Sequence, residues 1–154
     1  MLGPIDLRKA IDNTIERIRD KSSELAKRIV LTSSMPSDLY VSADSRLLDE
    51  ALGRVVLNAL ENSQNNVELT AERQDSVACI HVDDFGAGIS AEIAESIFEP
   101  FTRFGNEDAR QGIGLGLPIA RLSMELMNGE LLFHQAQERT RFTLRLPIAS
   151  NYEI

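Results

Sequence analysis

Hydrophobic positions in the first third of the chain predict a helix, two short strands and a second helix. Asp6 can cap the first helix, and apolar residues recur behind it at helical spacing: Leu7, Ile11, Ile15, Ile18 and Leu25. Two apolar runs, 29–32 and 39–41, flank a polar turn and predict strands. Asp44 or Ser45 then caps a helix that reaches about Asn62, with this apolar face: Leu47, Leu48, Ala51, Leu52, Val55, Val56, Ala59 and Leu60.

Alternation in the next segments predicts two strands, 67–72 and 76–84. In the first, the apolar side chains share one face, so the other face is expected to meet solvent. In the second, Asp84 shares a face with Ile80 and Val82, which places a carboxylate at the edge of the core. The remaining predicted elements are a short helix at 91–98, a loop to Gln111, a helix from Pro118 to Met127 that ends at Asn128-Gly129, and a hairpin of 130–136 and 140–146.

Glycines are concentrated in two clusters, 84–89 and 112–117, with a polar loop between them. Each glycine costs about 0.5–1 kcal/mol relative to alanine inside regular structure, so such density indicates a backbone that must approach a ligand. The second cluster leads directly into a helix, where free N–H groups and the helix dipole form an anion site. We therefore infer a nucleotide as the ligand.

Composition limits the function. A chain of 154 residues fits a single domain, and its net charge of −8 argues against nucleic acid or an anionic membrane as the main partner. Because the protein as a whole is negative, an anionic ligand must be bound by groups within its own site rather than by the overall charge. The single cysteine, Cys79, excludes an internal disulfide and suits a reducing compartment. The chain has neither an apolar run of membrane-spanning length nor a signal-peptide pattern at its start.

Two side chains add candidate chemistry. Asp84 precedes a turn in which Gly86 and Gly88 allow a flat group to approach, and its carboxylate can accept a hydrogen bond from an amine such as that of adenine. Asn58, on the polar face of its helix, offers a neutral oxygen that Mg²⁺ accepts when phosphates and water complete the octahedron. Each residue also has a simpler structural explanation: Asp84 could be an ordinary turn residue, and Asn58 an ordinary surface amide. The glycine run fits neither GxGxxG nor GxxxxGK[ST], so Rossmann and P-loop binding are not favoured.

Four motifs in order resemble the ATP-binding catalytic domain of bacterial two-component sensor histidine kinases, in the GHKL superfamily shared with gyrase. Residues 55–62 look like its N box, 84–89 like its G1 box, 97–104 like its F box and 112–117 like its G2 box. The resemblance runs from Asp6 to Pro147. It implies the Bergerat ATP-binding fold, an α/β (α+β) two-layer sandwich whose mixed, mainly antiparallel sheet has helices packed on one face.

The resemblance also implies roles for single residues. Asn58 would coordinate Mg²⁺, Asp84 would bind the adenine amino group, and Arg103 would stabilise the terminal phosphate from a lid of about 102–111. Asn58 and Arg103 are thus the catalytic candidates. Phe98 and Phe101 would anchor the lid on the core. The implied ATP-binding set is Asn58, Asn62, Asp84, Gly86, Gly88, Ile89, Arg103, Gly112, Ile113, Gly114, Leu115, Gly116, Leu117 and Thr140.

Several positions depart from the family pattern. Arg54 stands where many members have a second Asn, Glu61 replaces a Lys, and Asn62 replaces an aromatic residue or His. Phe85 replaces the usual Asn of the G1 box and Gln111 a Gly, and the lid is short. Glu61 adds negative charge near the expected phosphates, and Arg54 either compensates for the lost lysine or projects into solvent. A degenerate domain that acts as an interaction module therefore stays open.

The implied activity is transfer of the γ-phosphoryl group of ATP to a histidine on a separate dimerisation domain, which then serves a response regulator receiver domain. That dimerisation domain is not within these residues, since His81 and His134 both lie in predicted strands, so we expect little activity from this chain alone. We expect a monomeric, cytoplasmic domain over 1–154 with a flexible tail at about 149–154, whose parent is cytoplasmic or membrane-bound. A gyrase-type ATP-driven clamp is a weaker alternative, because no Glu stands at the required spacing from Asn58.

Overall fold

A five-stranded mixed sheet with helices on one face forms the body of the protein. The structure is a computed structural model that describes residues 1–32, 35–99 and 116–149. Its elements in chain order are β1 (Gly3–Asp6), α1 (Leu7–Lys21), α2 (Ser23–Ala26), β2 (Ile29–Leu31), β3 (Tyr40–Ala43), α3 (Ser45–Glu61), β4 (Val67–Gln74), β5 (Val77–Asp84), α4 (Ala91–Ala94), α5 (Gly116–Leu126), β6 (Glu130–Gln135) and β7 (Thr140–Pro147).

The sheet has the strand order β2-β4-β5-β7-β6. Only β2 and β4 run parallel; the other neighbours are antiparallel, as in a sheet built mostly from hairpins. A second, two-stranded sheet pairs β1 with β3, and a bridge between Val41 and Ile148 joins it to the end of the larger sheet. The predicted two-layer fold with a mainly antiparallel sheet is confirmed.

Helices α1, α3 and α5 cover one face of the sheet with their apolar stripes. The Asp6 side chain accepts hydrogen bonds from the Arg8 and Lys9 N–H groups, and Asp44 caps α3 in the same way. All of the predicted apolar face of α3 is fully buried except Leu47, which is half-buried. The facing rows of the sheet include Val82, Phe142, Ile80 and Leu144, so one continuous core lies between the two layers.

The opposite face of the sheet is covered by polar side chains. Arg141 donates two hydrogen bonds to Asp83, at 2.7 and 2.9 Å, and the Asp83 carboxylate raises the pKa of this guanidinium. Both ring nitrogens of His81 are bonded, Nε2 to Glu72 at 2.5 Å and Nδ1 to Thr143 at 2.8 Å. The histidine lowers the pKa of Glu72, mainly through that hydrogen bond. Long polar side chains from β4 and β7 thus bury the outer face of the central strand β5, while the helices bury its other face.

The structure differs from the predicted elements in the first third of the chain. Ser22 interrupts the first helix because it ends α1 and caps α2 with an extended backbone at φ −158°. Strand β1 was not predicted, since its four residues include a proline and only one large apolar side chain, Ile5. Pairing with β3 nevertheless orders it, as proline is tolerated in an edge strand.

Two later helices also differ in their bounds. The helix predicted at 91–98 ends at Ala94, because bonds between residues three apart tighten the following turns, as from Ser96 N–H to Ile93 O. Helix α5 begins at Gly116 rather than Pro118. The predicted lid lies outside the described residues. Ala149, where we expected the tail to begin, is buried and donates to Tyr40 O. Within the described ranges no helix is both long and apolar enough to span a bilayer.

Two glycines provide a matched test of this packing. Helix α5 ends as predicted at Asn128-Gly129, where Asn128 takes the left-handed conformation and Gly129 N–H bonds to Met124 O. A Cβ on Gly129 would lie 2.8 Å from Leu146 Cδ2 and closer still to Arg145 O, whereas a Cβ on Gly53 would meet nothing within 4 Å.

We therefore expect Gly129→Ala to lower the free energy of unfolding by about 1–3 kcal/mol through overpacking. Gly53→Ala should raise it by about 0.5–1 kcal/mol through helix propensity alone. Urea unfolding at pH 7 measures both changes. A neutral Gly129→Ala would show that the contact between α5 and β7 is looser than described.

Candidate functional site

Asp84 is the buried acidic group at the centre of the candidate site. It is the last residue of β5 and pairs in register with Thr140, the first residue of β7, so both side chains leave the same face of the sheet. Asp84 is only 3% exposed, and its Oδ1 accepts a hydrogen bond from Gly86 N–H at 3.1 Å. Burial raises the pKa of this carboxyl, and the negative charge of the neighbouring Asp83 raises it further. The hydrogen bond from Gly86 acts in the opposite direction and lowers the pKa.

The predicted approach of a flat group to Gly86 has a second, structural explanation. A Cβ at this position would overlap the carbonyl oxygen of Asn62 and lie 3.2 Å from Ser63 Cβ, so the loop must be glycine to pack on the end of α3. Asn65 Nδ2 also donates to Phe85 O at 3.4 Å. These contacts hold the Asp84 loop directly against the carboxyl end of α3.

Gln135, which the sequence pattern does not single out, fixes the other side of that loop. Its Oε1 accepts hydrogen bonds from Ile89 N–H at 3.0 Å and from the Thr140 hydroxyl at 2.7 Å. Its Nε2 donates to Ala136 O and Arg139 O within the β6–β7 hairpin. Gly88 passes this side chain with φ +86°, a conformation that favours glycine. The only signal for Gln135 in the sequence is its place at the end of a predicted strand.

Asn58 on α3 and Asn62 at its C-cap offer oxygens that are unpaired among the described residues. Asn62 Nδ2 donates to Asn58 O at 2.8 Å, which fixes the orientation of the Asn62 amide. Asn58 Oδ1 and Asn62 Oδ1 are both buried, and neither has a hydrogen-bond partner among the described residues. Because unpaired buried oxygens are costly, these atoms suit a ligand that supplies a donor or a cation.

These asparagines fit magnesium as partial ligands. Amide oxygens are ligands that Mg²⁺ accepts, and the ion normally keeps several waters and binds substrate phosphates. No group of three or more His, Cys, Asp or Glu side chains suited to a metal occurs in the part of the chain that is described. An ion held by Asn58 or Asn62 would therefore depend on phosphate and water oxygens for the rest of its shell.

The remaining predicted site residues fall into two groups. Gly116 and Leu117 begin α5, which packs on α3, and the Leu117 side chain is buried in the core, so only its backbone can serve a ligand. Phe98 contacts Phe142 edge to face at 6.2 Å, as expected of an anchor on the core, and Arg121 lies over its ring. The others lie outside the described residues: Phe101, Arg103, Gly112, Ile113, Gly114 and Leu115.

Two departures from the family pattern have identifiable surroundings on α3. Arg54 Nε bonds to Glu50 Oε2 at 2.5 Å, and both residues line a groove between α3 and α1. Glu61, the last residue of α3, is exposed. The two strand histidines are apart from the site, because His81 is bonded on the opposite face of the sheet and His134 is an exposed residue of β6.

Comparison with protein families and curated proteins gives consistent matches. The family model for histidine kinase-, DNA gyrase B- and HSP90-like ATPases matches residues 43–150. The histidine protein kinase DivJ of Caulobacter vibrioides is 32% identical over 152 residues, which are 95% of this chain and 25% of DivJ. The sensor histidine kinase RppB of Synechocystis is 31% identical over 82% of this chain and 29% of its own length. The chain thus spans about a quarter of these relatives.

Solved structures agree in fold. The mycobacterial sensor histidine kinase MprB superposes with a TM-score of 0.80 at 27% identity, covering 96% of this chain and 99% of the MprB chain. Full-length ShkA, solved in complex with AMPPNP, superposes with a TM-score of 0.75 at 25% identity over 96% of this chain and 31% of its own. The described helices and strands therefore form the architecture of histidine kinase catalytic domains.

The raised pKa of Asp84 predicts a pH-dependent stability difference. Because the native state holds the Asp84 proton more tightly than the unfolded state, ionisation of this group costs stability as pH rises past the ordinary value of 3.8. We expect Asp84→Asn to match the wild type near pH 3 and to have the higher free energy of unfolding at about pH 7.

Urea unfolding across this range measures the difference. Asp83→Asn is the matched control, because it weakens the ion pair with Arg141 on the other face and should be less stable than the wild type at pH 7. An Asp84→Asn variant less stable than the wild type at pH 7 would contradict the sign.

Proposed function

The chain belongs to the family of histidine kinase-, DNA gyrase B- and HSP90-like ATPases, and on that premise we propose that it binds Mg-ATP and donates the γ-phosphoryl group to a histidine of a separate dimerisation domain. Its relatives are sensor histidine kinases, which places the kinase branch of the family ahead of the gyrase branch. The proposal extends to a response regulator receiver domain as the final acceptor in a two-component system.

The buried carboxylate of Asp84 is the observation that carries the proposal. Among the described residues it accepts one hydrogen bond, from Gly86 N–H, and a carboxylate has acceptor capacity for about four. Its desolvation costs free energy in the ligand-free domain, and a donor such as the adenine amino group would offset that cost. Thr140 stands beside it with a hydroxyl directed to Gln135, which suits recognition of a planar base by few polar groups in an apolar surround.

Asn58 and Asn62 are the proposed holders of magnesium. Bound Mg²⁺ would neutralise phosphate charge and polarise the phosphoryl oxygens. The chain's own contribution is to hold two amide oxygens in place: α3 orients both, the Asn62 Nδ2 bond to Asn58 O fixes the second, and Gly86 packs against the same turn. Neither oxygen has a hydrogen-bond partner among the described residues, which supports this role.

Phosphoryl transfer requires little covalent chemistry from the protein, so positioning and charge stabilisation account for most of the catalysis. We propose that backbone groups bind the phosphates, in the segment Gly112, Ile113, Gly114, Leu115, Gly116 and Leu117. Arg103 is proposed to stabilise charge on the terminal phosphate. Neither His81 nor His134 is placed to receive the group, since His81 is fully bonded on the far face of the sheet. The acceptor histidine is therefore proposed to come from another domain.

Isothermal titration with a non-hydrolysable ATP analogue tests nucleotide binding. Asp84→Asn should weaken binding by about 10- to 150-fold, the equivalent of about 1.5–3 kcal/mol for a hydrogen bond to a charged group. Asn58→Ala and Asn62→Ala should each reduce the magnesium-dependent part of the affinity and leave magnesium-free binding largely unchanged. Asn66→Ala, an exposed asparagine beyond the end of α3, is the matched control and should behave as the wild type.

Absence of binding by the wild type at millimolar analogue would reject the proposal and leave the interaction-module alternative. Loss in Asn58→Ala alone would assign the metal to that residue only.

Phosphoryl transfer is tested by mixing the chain with a histidine-bearing dimerisation domain and labelled ATP. We expect acid-labile label on the dimerisation domain, none when its histidine is replaced by glutamine, and none with this chain alone. Asp84→Asn should reduce transfer at ATP concentrations that just saturate the wild type, and a higher ATP concentration should restore part of it. A wild type that binds the analogue but does not label a competent acceptor would leave ATP binding in place and overturn the transferase assignment.

A further inference from the structure

A groove between α1 and α3 has features that the nucleotide site does not use. It encloses about 340 Å³ and is lined by helix positions that include Thr14, Ile18 and Lys21 on α1, Leu25 on α2, and Gly53 and Leu57 on α3. Leu25 and Leu57 pack on the core yet remain half-buried, so their outer surfaces form an apolar floor. We call this surface the α1–α3 groove.

Gly53 has no role in the packing of the chain itself. It lies in the middle of α3, where glycine lowers helix stability, and a Cβ added to it would meet nothing within 4 Å. Gly86 and Gly129, in contrast, are both in close contact with neighbouring backbone. A mid-helix glycine that faces open space leaves room in the groove for the side chains of a partner.

Thr14 adds a second, independent observation. The residue is 2% exposed, it lines the groove, and its Oγ1 has no hydrogen-bond partner among the described residues. A buried hydroxyl without a partner costs stability unless a bound group supplies one. The groove therefore combines an apolar floor with one unpaired polar atom.

The spacing of the lining residues fits a helix as the occupant. On α1 and α2 they follow steps of three and four residues through Thr14, Ile18, Lys21 and Leu25, and on α3 through Glu50, Gly53 and Leu57. Two such stripes side by side form the seam into which a third helix packs.

The charged residues of the groove indicate which charge the occupant carries. Arg17 pairs with Asp49 across the groove at 2.8 Å and Arg54 pairs with Glu50, whereas Lys21 has no ion-pair partner within residues 1–32, 35–99 and 116–149. In a chain of net charge −8, this leaves a local cation at one end of an apolar seam. A carboxylate on the occupant would complement it.

The groove adjoins the proposed magnesium site. Leu57 precedes Asn58, and Arg54 lies one turn before it on α3, so the groove borders the part of α3 that carries the proposed magnesium ligand. We propose that the α1–α3 groove docks a helix of the histidine-bearing acceptor domain, with an apolar ridge on Leu25, Gly53 and Leu57 and a carboxylate on Lys21. This inference rests on the proposed function, because it names the surface that holds the phosphoryl acceptor.

Two pairs of variants test it by titrating the acceptor domain into the chain, with and without the ATP analogue. Gly53→Leu fills the seam and should weaken docking at least about tenfold, while Gly53→Ala, which adds helix propensity but little volume, should dock as the wild type does. Lys21→Glu should weaken docking severalfold, and Lys9→Glu, an exposed lysine of α1 outside the groove, should not. Thermal unfolding and analogue titration check that Gly53→Leu folds and still binds nucleotide.

The outcomes separate this inference from the proposed function. Docking that Gly53→Leu does not weaken, or a wild type that does not bind the acceptor domain at all, overturns the inference even if ATP is bound. Docking lost in Gly53→Leu and retained in Gly53→Ala supports it even if no phosphoryl transfer occurs, in which case the proposed function alone fails.

Discussion

The close packing of Gly86 on the carbonyl of Asn62 is the constraint on which the site depends. It fixes the turn after β5 against the carboxyl end of α3. The residues that follow the strand therefore contact the residues that end the helix. On the other side, Gln135 ties the same turn to the β6–β7 hairpin through bonds from Ile89 and Thr140. The buried carboxylate and the unpaired amide oxygens thus have fixed surroundings before any ligand arrives, which reduces the ordering that binding must supply.

The central strand distributes charge between two environments. Asp83 and Asp84 are consecutive, so their side chains leave opposite faces of β5. Asp83 is neutralised by Arg141 and forms part of the polar cover of the sheet. Asp84 faces the helical layer with a single donor among the described residues, and burial raises its pKa. The fold therefore pairs one carboxylate within the protein and leaves the other as the group that we propose for recognition.

The sequence predicted most of the fold because periodicity reports which face of an element is buried. It predicted α3, its cap, the alternation in β5 and the Asn128-Gly129 helix end from residues close together in the chain. It missed β1, whose order comes from pairing with β3, and Gln135, whose role comes from bonds across a hairpin and to a distant loop. It could not predict that Gly86 is also required for packing, because the carbonyl that requires glycine there belongs to another part of the chain.

The register between β5 and β7 has a consequence for how the domain becomes functional. Asp84 is opposite Thr140 only after the last strand has inserted beside the central one, although the two residues are far apart in the sequence. Pairings of this kind close long loops and form slowly compared with local helices. The corner that holds Asp84 and Thr140 is therefore expected to form late during folding, and the proposed nucleotide affinity would report whether the carboxyl-terminal hairpin has joined the sheet.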